Sequence, residues 1–239
     1  MLLIARSELT QILRNRAVLV TSLLFPLAAS AFFVYSRDTF EELYGLGYIA
    51  AVVVFTIGAF SLYATIVTTL AARRQTLFLK RLRSTAAPDQ AILAGLVLPV
   101  AAISVAQIAV VLGAFAAVSG RPADVPVLVV AVFATFAMLL ALGLATAGVT
   151  GSPEQAQVTT LPISLGTIAV SSWVGITGTE DATWLKRLLP GGSATELVVG
   201  AWDGGLAATE SLRLLAPTLG WVVVAVTLAS RFFRWEPRR

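Results

Sequence analysis

Residues 47–72 read GYIAAVVVFTIGAFSLYATIVTTLAA, a stretch of 26 residues without a single Asp, Glu, Lys or Arg. About 20 apolar residues in an α-helix cover the hydrocarbon thickness of a bilayer. Inside lipid a chain must satisfy its own backbone hydrogen bonds, and an unbroken run of this length does so as a helix. Residues 47–72 are therefore predicted to form a membrane-spanning helix.

Further apolar stretches indicate spans along the rest of the chain. They are predicted at 17–36, 91–118, 126–150, 155–178 and 214–233, where Phe232 and Phe233 extend the last one past Arg231. Stretches longer than about 20 residues must tilt, kink or project into water. The sequence predicts an all-α integral membrane protein, with residues 1–239 forming a single transmembrane domain of six helices.

The composition of the whole chain agrees with lipid as its solvent. Of its 239 residues, 57% are hydrophobic and only 13% are charged, and the mean hydropathy is +0.86. In a soluble domain about a quarter of the residues are charged. So much apolar surface cannot be hidden inside one globule of 25.1 kDa, and lipid must solvate the excess.

The distribution of Lys and Arg predicts the orientation in the membrane. With both termini in the cytoplasm, the inner segments hold twelve of the 17 basic residues, and the outer segments hold five alongside nine acids. This bias predicts a multi-pass protein of the bacterial plasma (inner) membrane, and it accounts for the pI near 10.0 without nucleic acid as a partner. The first span is expected to be retained and not cleaved as a signal peptide, because the preceding region is long and contains Glu8.

Residues 1–16 have an amphipathic pattern. Leu2, Leu9 and Ile12 fall on one face at helical spacing, while Arg14 and Arg16 would be costly inside hydrocarbon. This pattern predicts an N-terminal helix that lies in the membrane interface. The alternative is a simple extension of the first span.

The outer segment 179–213 contains two short apolar pieces, 184–189 and 193–199, with Pro190 and two glycines between them. Neither piece is long enough to span a bilayer. We interpret them as short re-entrant helices before the last span, which survive at membrane depth only if they are buried in protein or line a cavity. A folded outer loop that caps the bundle is the alternative.

The cytoplasmic segment 73–90 mixes five cations with four large apolar residues in its core, 73–83. An ordinary positive-inside loop needs the cations but not the apolar side chains. Exposed apolar residues among charges favour docking on a partner or on lipid headgroups. Pro88, just before the third span, suits the start of a helix.

Several kinds of chemistry lack their residues in this chain. It contains no His and no Cys, so the usual metal ligands and the commonest general base are missing. The charge-free stretches offer no titratable group to an ion-coupled carrier, and Gln107, Gln155 and Gln157 are expected to form interhelical hydrogen bonds. No GxxxxGK[ST] loop is present for nucleotide binding. Active transport would therefore need energy from another polypeptide.

Three features resemble the permease subunits of ABC-2 type transporters, the group of drug-resistance and polysaccharide exporters. One is the amphipathic start that leads directly into the first span. Another is residues 76–85, TLFLKRLRST, which are similar to the family's TLKRLRxTP-like segment between spans two and three. The third is Leu161-Pro162 in the fifth span, followed by 184–190 and a short helix that ends near Gly204-Gly205.

The resemblance implies a function and partners. The chain would be the membrane-spanning permease of an ATP-driven ABC exporter. It would not be an enzyme itself, because a separate ABC ATPase subunit would bind ATP and Mg and hydrolyse the nucleotide. A second permease copy or a related permease would complete the transporter, with contacts expected along spans one, two and five. The largely uncharged wall favours an amphiphilic or lipid-like substrate, such as a drug, an antibiotic or a lipid-linked glycan.

The resemblance also assigns residues to roles. The segment 73–90 would act as the coupling loop, through Leu77, Phe78, Lys80, Arg81, Leu82 and Arg83. The outer pieces would narrow the extracellular exit, with Trp184, Leu188, Pro190 and Glu196 as gate residues. Polarity and rough depth add Phe25, Phe55, Phe60, Gln155, Thr159 and Ser164 as candidate lining of the substrate path.

Two other classes of function stay open at this point. One is a six-helix secondary carrier or channel, which would transport along an ion gradient without an ATPase. The other is a structural or assembly protein of the membrane without transport activity.

Overall fold

The computed structural model describes residue 10 and residues 16–84, 88–233 and 235, and every regular element in this part of the chain is a helix. The all-α class predicted from the sequence is confirmed. The predicted interfacial helix at 1–16 lies almost wholly outside the described residues and stays a prediction.

The helical elements of the described residues are numbered here in chain order. They are α1 (Arg16–Leu19, Val20–Leu24 and Phe25–Tyr35), α2 (Arg37–Tyr44), α3 (Leu46–Gln75), α4 (Phe78–Arg83), α5 (Asp89–Ser119), α6 (Val125–Val149), α7 (Pro153–Thr177), α8 (Thr183–Leu188), α9 (Gly192–Asp203) and α10 (Ala208–Phe232). Two segments are wound as π-helix, Val20–Leu24 within α1 and Gly58–Ala64 within α3.

Five of these helices are long and apolar enough to cross a membrane, namely α3, α5, α6, α7 and α10. They correspond to the second through sixth predicted spans. The first predicted span corresponds to α1, whose apolar stretch Ser22–Tyr35 is shorter than the others. The architecture is compatible with a multi-pass membrane protein, and the first predicted span stays a prediction.

The central helix of the bundle is α3. In its most apolar part 89% of the residues are buried, against 28% in α7 and 17% in α10. It packs on α1, α5, α6, α7 and α9. A helix that is hydrophobic on all sides belongs in a core, whereas the poorly covered α10 lies at the periphery, where its apolar surface would face lipid.

A helix that the sequence did not predict, α2, lies between the first two spans. Its Phe40 packs on Phe33 of α1 and Tyr48 of α3, with ring centroids 5.1 and 6.0 Å apart. The chain then turns sharply at Gly45, which has a φ of 83°. These aromatic contacts fold α2 back onto the bundle, where the sequence suggested only an outer connection.

The last helix begins earlier than predicted. Its first residue is Ala208 and not Leu214, so that Glu210 and Arg213 lie within the first turns of α10. The search for stretches without charged residues located the apolar part of this span. It missed the polar turns at the start of the helix, because a helix continues past the hydrocarbon boundary when its charged residues find partners.

The short helix α9 is largely buried, and one of its ends lies at the surface of the bundle. There the backbone N–H groups of Ala123 and Asp124 donate to the carbonyl oxygens of Trp202 and Ala201, at 3.0 and 2.9 Å. The Trp202 ring stacks on Phe115 of α5 with centroids 4.7 Å apart. The C-terminal end of α9 is thereby fixed to the connection between α5 and α6.

The other end of α9 lies deep among the long helices. Ser193 Oγ is 3.1 Å from Thr218 Oγ1, ten residues into α10. A Cβ atom on Gly191 would come within 2.8 Å of the Phe55 ring, and the φ of 102° at Gly191 also requires glycine. Phe55 is nine residues into α3, which at 1.5 Å per residue is about 13 Å from the start of that helix.

Candidate functional site

The segment predicted to couple to a partner forms the short helix α4. It begins after Leu77, whose φ of 57° is in the left-handed region and turns the chain away from α3. Leu79 is fully buried, and Phe78 and Leu82 are partly buried against the core. The buried side chains place α4 flat against one end of the bundle.

The opposite side of α4 is exposed and carries an apolar and cationic strip. We call it the α4 strip, and its residues are Leu77, Lys80, Arg81 and Ser84. Their spacing of three and four positions puts them on one helical face. With Thr76 they line a groove of about 410 Å³.

The predicted coupling residues therefore divide into two groups. Leu77, Lys80, Arg81 and Arg83 are exposed, while Phe78 and Leu82 contact the protein's own core. The hypothesis that Phe78 and Leu82 fill a cleft in a partner stays untested. Their packing makes the exposed residues the better candidates for contact with another chain.

Two cation–aromatic contacts and one ion pair anchor α4. The Arg73 guanidinium at the end of α3 lies 5.3 Å from the Phe78 ring centre. Arg83 lies 5.3 Å from the ring centre of Trp235 and 3.5 Å from the carboxylate of Asp89 at the start of α5. Displacement of α4 would therefore act on α3, α5 and the segment after α10.

Arg74, next to this anchor, is fully buried. Its guanidinium donates to the carbonyl oxygens of Ala147 and Thr150 at the end of α6, and it lies 5.5 Å from the Phe233 ring centre. Carbonyl groups at a helix C-terminus carry partial negative charge and attract cations. The sequence suggested only a loop cation here, because the partner carbonyls are 73 and 76 positions away.

At the other end of the bundle, an ionic network joins α8, α9 and α10. The Arg187 guanidinium donates to both carboxylate oxygens of Glu196, at 2.8 and 2.6 Å, and to Glu210 at 3.1 Å. Thr179 Oγ1 donates to Glu196 at 2.9 Å. The hydrogen bond with Glu196 is the main cause that raises the pKa of Arg187. A bidentate pair of this kind fixes both position and orientation.

A buried lysine supports the same end. Lys186 is 1% exposed, and its Nζ donates to Thr177 Oγ1 and to the carbonyl of Gly178, both at 2.8 Å. The ammonium group also lies 5.1 Å from the Trp173 ring centre. Lys186 thus caps the C-terminal end of α7, as Arg74 caps α6.

The four predicted gate residues lie in different environments. Glu196 is part of the ionic network, and Pro190 is half-buried in the turn between α8 and α9. Trp184 is 83% exposed and Leu188 is also exposed. They line a groove of about 930 Å³ between α8 and α10.

The predicted path residues also fall in separate environments. Phe25 and Phe60 meet edge to face with centroids 4.8 Å apart, and Phe55 is fully buried. Gln155 and Thr159 lie in the first turns of α7, where the Gln155 side chain accepts from the N–H of Gly151 and the Thr159 hydroxyl lies 2.9 Å from that of Thr150. Ser164 is buried farther along α7.

A buried polar cluster joins the two π-helical segments. Ser61 Oγ, in the π-segment of α3, donates to Gln107 Oε1 at 2.9 Å and lies 3.0 Å from Ser104 Oγ. Gln107 Nε2 donates to the carbonyl of Leu23, in the π-segment of α1, at 3.4 Å. The interhelical role predicted for Gln107 is confirmed. π-turns occur frequently at functional sites, but nothing in the sequence pattern pointed to these two.

Among the described residues, no group of three His, Cys, Asp or Glu side chains is arranged to hold a metal ion. No family model, curated protein or solved structure matches the chain.

Proposed function

We propose that this chain is the membrane-spanning permease subunit of an ATP-driven exporter of the ABC-2 type. The energy would come from a separate ATPase subunit that binds ATP and Mg, and the chain would not be an enzyme. The observation that carries this proposal is the α4 strip, an apolar and cationic surface on a helix whose other side is locked to the bundle.

The anchoring of α4 supports a coupling role. A partner with an acidic rim and an apolar cleft would take Leu77 into the cleft and pair with Lys80 and Arg81. Charge complementarity of this kind favours the correct partner and speeds encounter. Because α4 contacts the ends of α3 and α5, movement of the partner would pass to those helices.

The opposite end would form the exit gate. We propose that α8 and α9 are re-entrant elements, since α9 begins beside Phe55 and Thr218 and ends near the start of α3. Non-helical backbone at membrane depth is tolerated where protein surrounds it, and the turn 189–191 is packed between long helices. The Arg187–Glu196 pair would hold this gate closed until the bundle moves.

Two copies of the chain, or one with a related permease, would enclose the path. The apolar faces of α1 and α7 are exposed, as at Leu24 and Leu165, which makes these helices the proposed contact surfaces. The central α3 is covered by its own chain, and the contribution expected from the second span is therefore dropped from the proposal. The cargo would be amphiphilic or lipid-like, in keeping with walls that are mostly apolar.

In this proposal α4 and both termini lie in the cytoplasm of a bacterium, and α8 and α9 lie at the outer face of the inner membrane. The concentration of basic residues at the α4 end supports this orientation.

The test is co-purification of a nucleotide-hydrolysing subunit. The chain would be co-expressed with the product of its neighbouring gene, and the nucleotide-hydrolysing subunit recovered with wild type would be compared with that recovered with L77D/R81E. Asp tolerates the left-handed conformation at position 77, so the double variant should fold. We expect at least a tenfold loss of bound ATPase, with no change in thermal unfolding in detergent.

The matched control is R121E, which reverses one exposed charge at the opposite end of the bundle and should keep the ATPase. Full retention by L77D/R81E would overturn the coupling role of the strip. Uphill transport by vesicles that hold this chain alone, without nucleotide, would overturn the proposal as a whole and favour a secondary carrier.

A further inference from the structure

The groove between α8 and α10 has walls of two chemical kinds. It is lined by Ala182, Thr183, Trp184, Leu185, Arg187, Leu188, Glu210, Arg213, Leu214 and Pro217. Its volume of about 930 Å³ is that of a site for a sizeable ligand. The groove combines apolar side chains with three charged ones, Arg187, Glu210 and Arg213.

The charges of this groove are not equivalent. Arg187 and Glu210 are paired with each other at 3.1 Å, and Arg187 also holds Glu196. Arg213 is different, because 80% of its side chain is exposed and its Nη1 atom lies as far as 3.8 Å from the Glu210 carboxylate. The charge that the groove presents outward is therefore the Arg213 guanidinium.

The apolar residues of the groove belong to helices that the rest of the protein covers poorly. Only 17% of the most apolar part of α10 is buried, which leaves most of its apolar surface available to lipid. Trp184, Leu185 and Leu188 are 83%, 54% and 60% exposed on the neighbouring α8. Trp side chains favour the membrane–water interface, where one end of the ring is apolar and the other is hydrated.

We propose that this groove binds a phospholipid of the surrounding bilayer that has an anionic headgroup. An acyl chain packs against Trp184, Leu188 and Pro217. The phosphate lies against the Arg213 guanidinium, which can form a bidentate pair with two phosphate oxygens. Phosphatidylcholine also carries a phosphate, but its choline cation cancels the net negative charge of the headgroup, so a headgroup without that cation is attracted more strongly to Arg213. This proposal is independent of the exporter assignment, because it needs neither an ATPase nor a transported substrate.

Fluorescence quenching tests the acyl-chain contact. The full chain is reconstituted in phosphatidylcholine vesicles that contain rising fractions of brominated phosphatidylglycerol or, separately, brominated phosphatidylcholine. Bromine atoms on the acyl chains quench nearby tryptophans, and the difference between wild type and W184F isolates Trp184. We expect the Trp184 component to reach half-quenching at a several-fold lower fraction of the anionic lipid than of the neutral one.

The headgroup contact is tested with R213Q. In R213Q, half-quenching of Trp184 should need similar fractions of the anionic and the neutral brominated lipid. R121Q makes the same change in net charge at an exposed position and should keep the wild-type difference between the two lipids. If Trp184 contacts only bulk lipid, the wild-type quenching curves for the two brominated lipids should be equal. That result, or an R213Q protein with an unchanged preference, would overturn the proposal.

Discussion

The Nη1 atom of Arg74 lies 3.2 Å from the carbonyl oxygen of Thr150, which ties the end of α3 to the end of α6. A second hydrogen bond from the same guanidinium reaches Ala147, and the side chain is completely buried. One cation thus satisfies two carbonyl groups that a helix C-terminus leaves without intrahelical partners. The junction fixes the central helix beside the anchor of α4.

Replacement of Arg74 by Ala should therefore destabilise the protein strongly. Each buried carbonyl left without a donor costs about 1–3 kcal/mol, and the two together should lower the free energy of unfolding by about 2–6 kcal/mol. Thermal unfolding in detergent measures the loss. R231A, at an exposed position near the end of α10, should stay within about 0.5 kcal/mol of wild type. An R74A protein as stable as R231A would contradict the capping role.

The hydrogen bonds of Gln107 predict that the two π-segments open together. In Q107L, Ser61 loses an acceptor and Leu23 loses a donor, so amide hydrogen exchange should rise within both Val20–Leu24 and Gly58–Ala64. Mass spectrometry after exchange resolves the two segments. S104A removes the contact to Ser61 and a bond to the Val100 carbonyl within α5, so it should raise exchange in Gly58–Ala64 and leave Val20–Leu24 unchanged. Increased exchange in just one segment of Q107L would contradict the coupling of the two π-segments through Gln107.

The Asp203 carboxylate predicts a dependence of stability on pH. Its Oδ1 accepts from the N–H of Gly47 at 2.9 Å in the first turn of α3. Burial raises the pKa of Asp203 above its ordinary value of 3.8, the bond from Gly47 opposes this shift, and the charge of Glu41 adds to it. Because the pKa of Asp203 is raised in the folded state, the folded protein binds this proton more tightly than the unfolded chain does. The protonated carboxyl therefore adds to the free energy of unfolding below pH 3.8, and this contribution is lost as the pH rises through the folded pKa.

D203N keeps an acceptor for Gly47 but cannot ionise. Its unfolding temperature should therefore vary less than that of wild type as the pH rises from 3.8 toward neutrality. D38N, at a carboxylate whose side chain is 83% exposed, serves as the control and should follow the wild-type curve. Parallel curves for D203N and wild type would show that this carboxylate does not contribute to the dependence.

At Gly47 the backbone of α3 lies very close to α9. A Cβ at this position would lie 2.6 Å from Asp203 Oδ2, 2.8 Å from the carbonyl oxygen of Val199 and 2.9 Å from its Cα. Because two of these neighbours are backbone atoms, they cannot rotate away, and G47A should cost about 1–3 kcal/mol. Unfolding in detergent again provides the measurement.

The matched control for that substitution is G113A. Gly113 is inside α5 with nothing within 4 Å of the added Cβ, so alanine there should stabilise the helix by about 0.5–1 kcal/mol. Opposite signs for the two variants are the expected result. Equal effects would mean that helix propensity, and not the contact with α9, decides the outcome at Gly47.

For the candidate site, the sequence predicted which segments matter, but it did not predict which side chains of those segments are exposed. It identified 73–90 as the segment with unusual apolar content, and α4 lies within it. It did not distinguish Leu77, which is exposed, from Leu79, which is buried, since only the turn at Leu77 sets the face that α4 turns inward. The outer ionic network was also missed, because Arg187 and Glu210 are 23 positions apart.

The sequence by itself determined the helical class and the positions of the long apolar helices, because a backbone in lipid must satisfy its hydrogen bonds within each segment. Only the tertiary structure decided that α3 is central and α10 peripheral. Lipid is as apolar as a protein core, so a membrane helix can be hydrophobic on every side and its pattern does not reveal which side faces protein. The same holds for Arg74 and Asp203, whose partners are defined by helix ends that meet only after the bundle has packed.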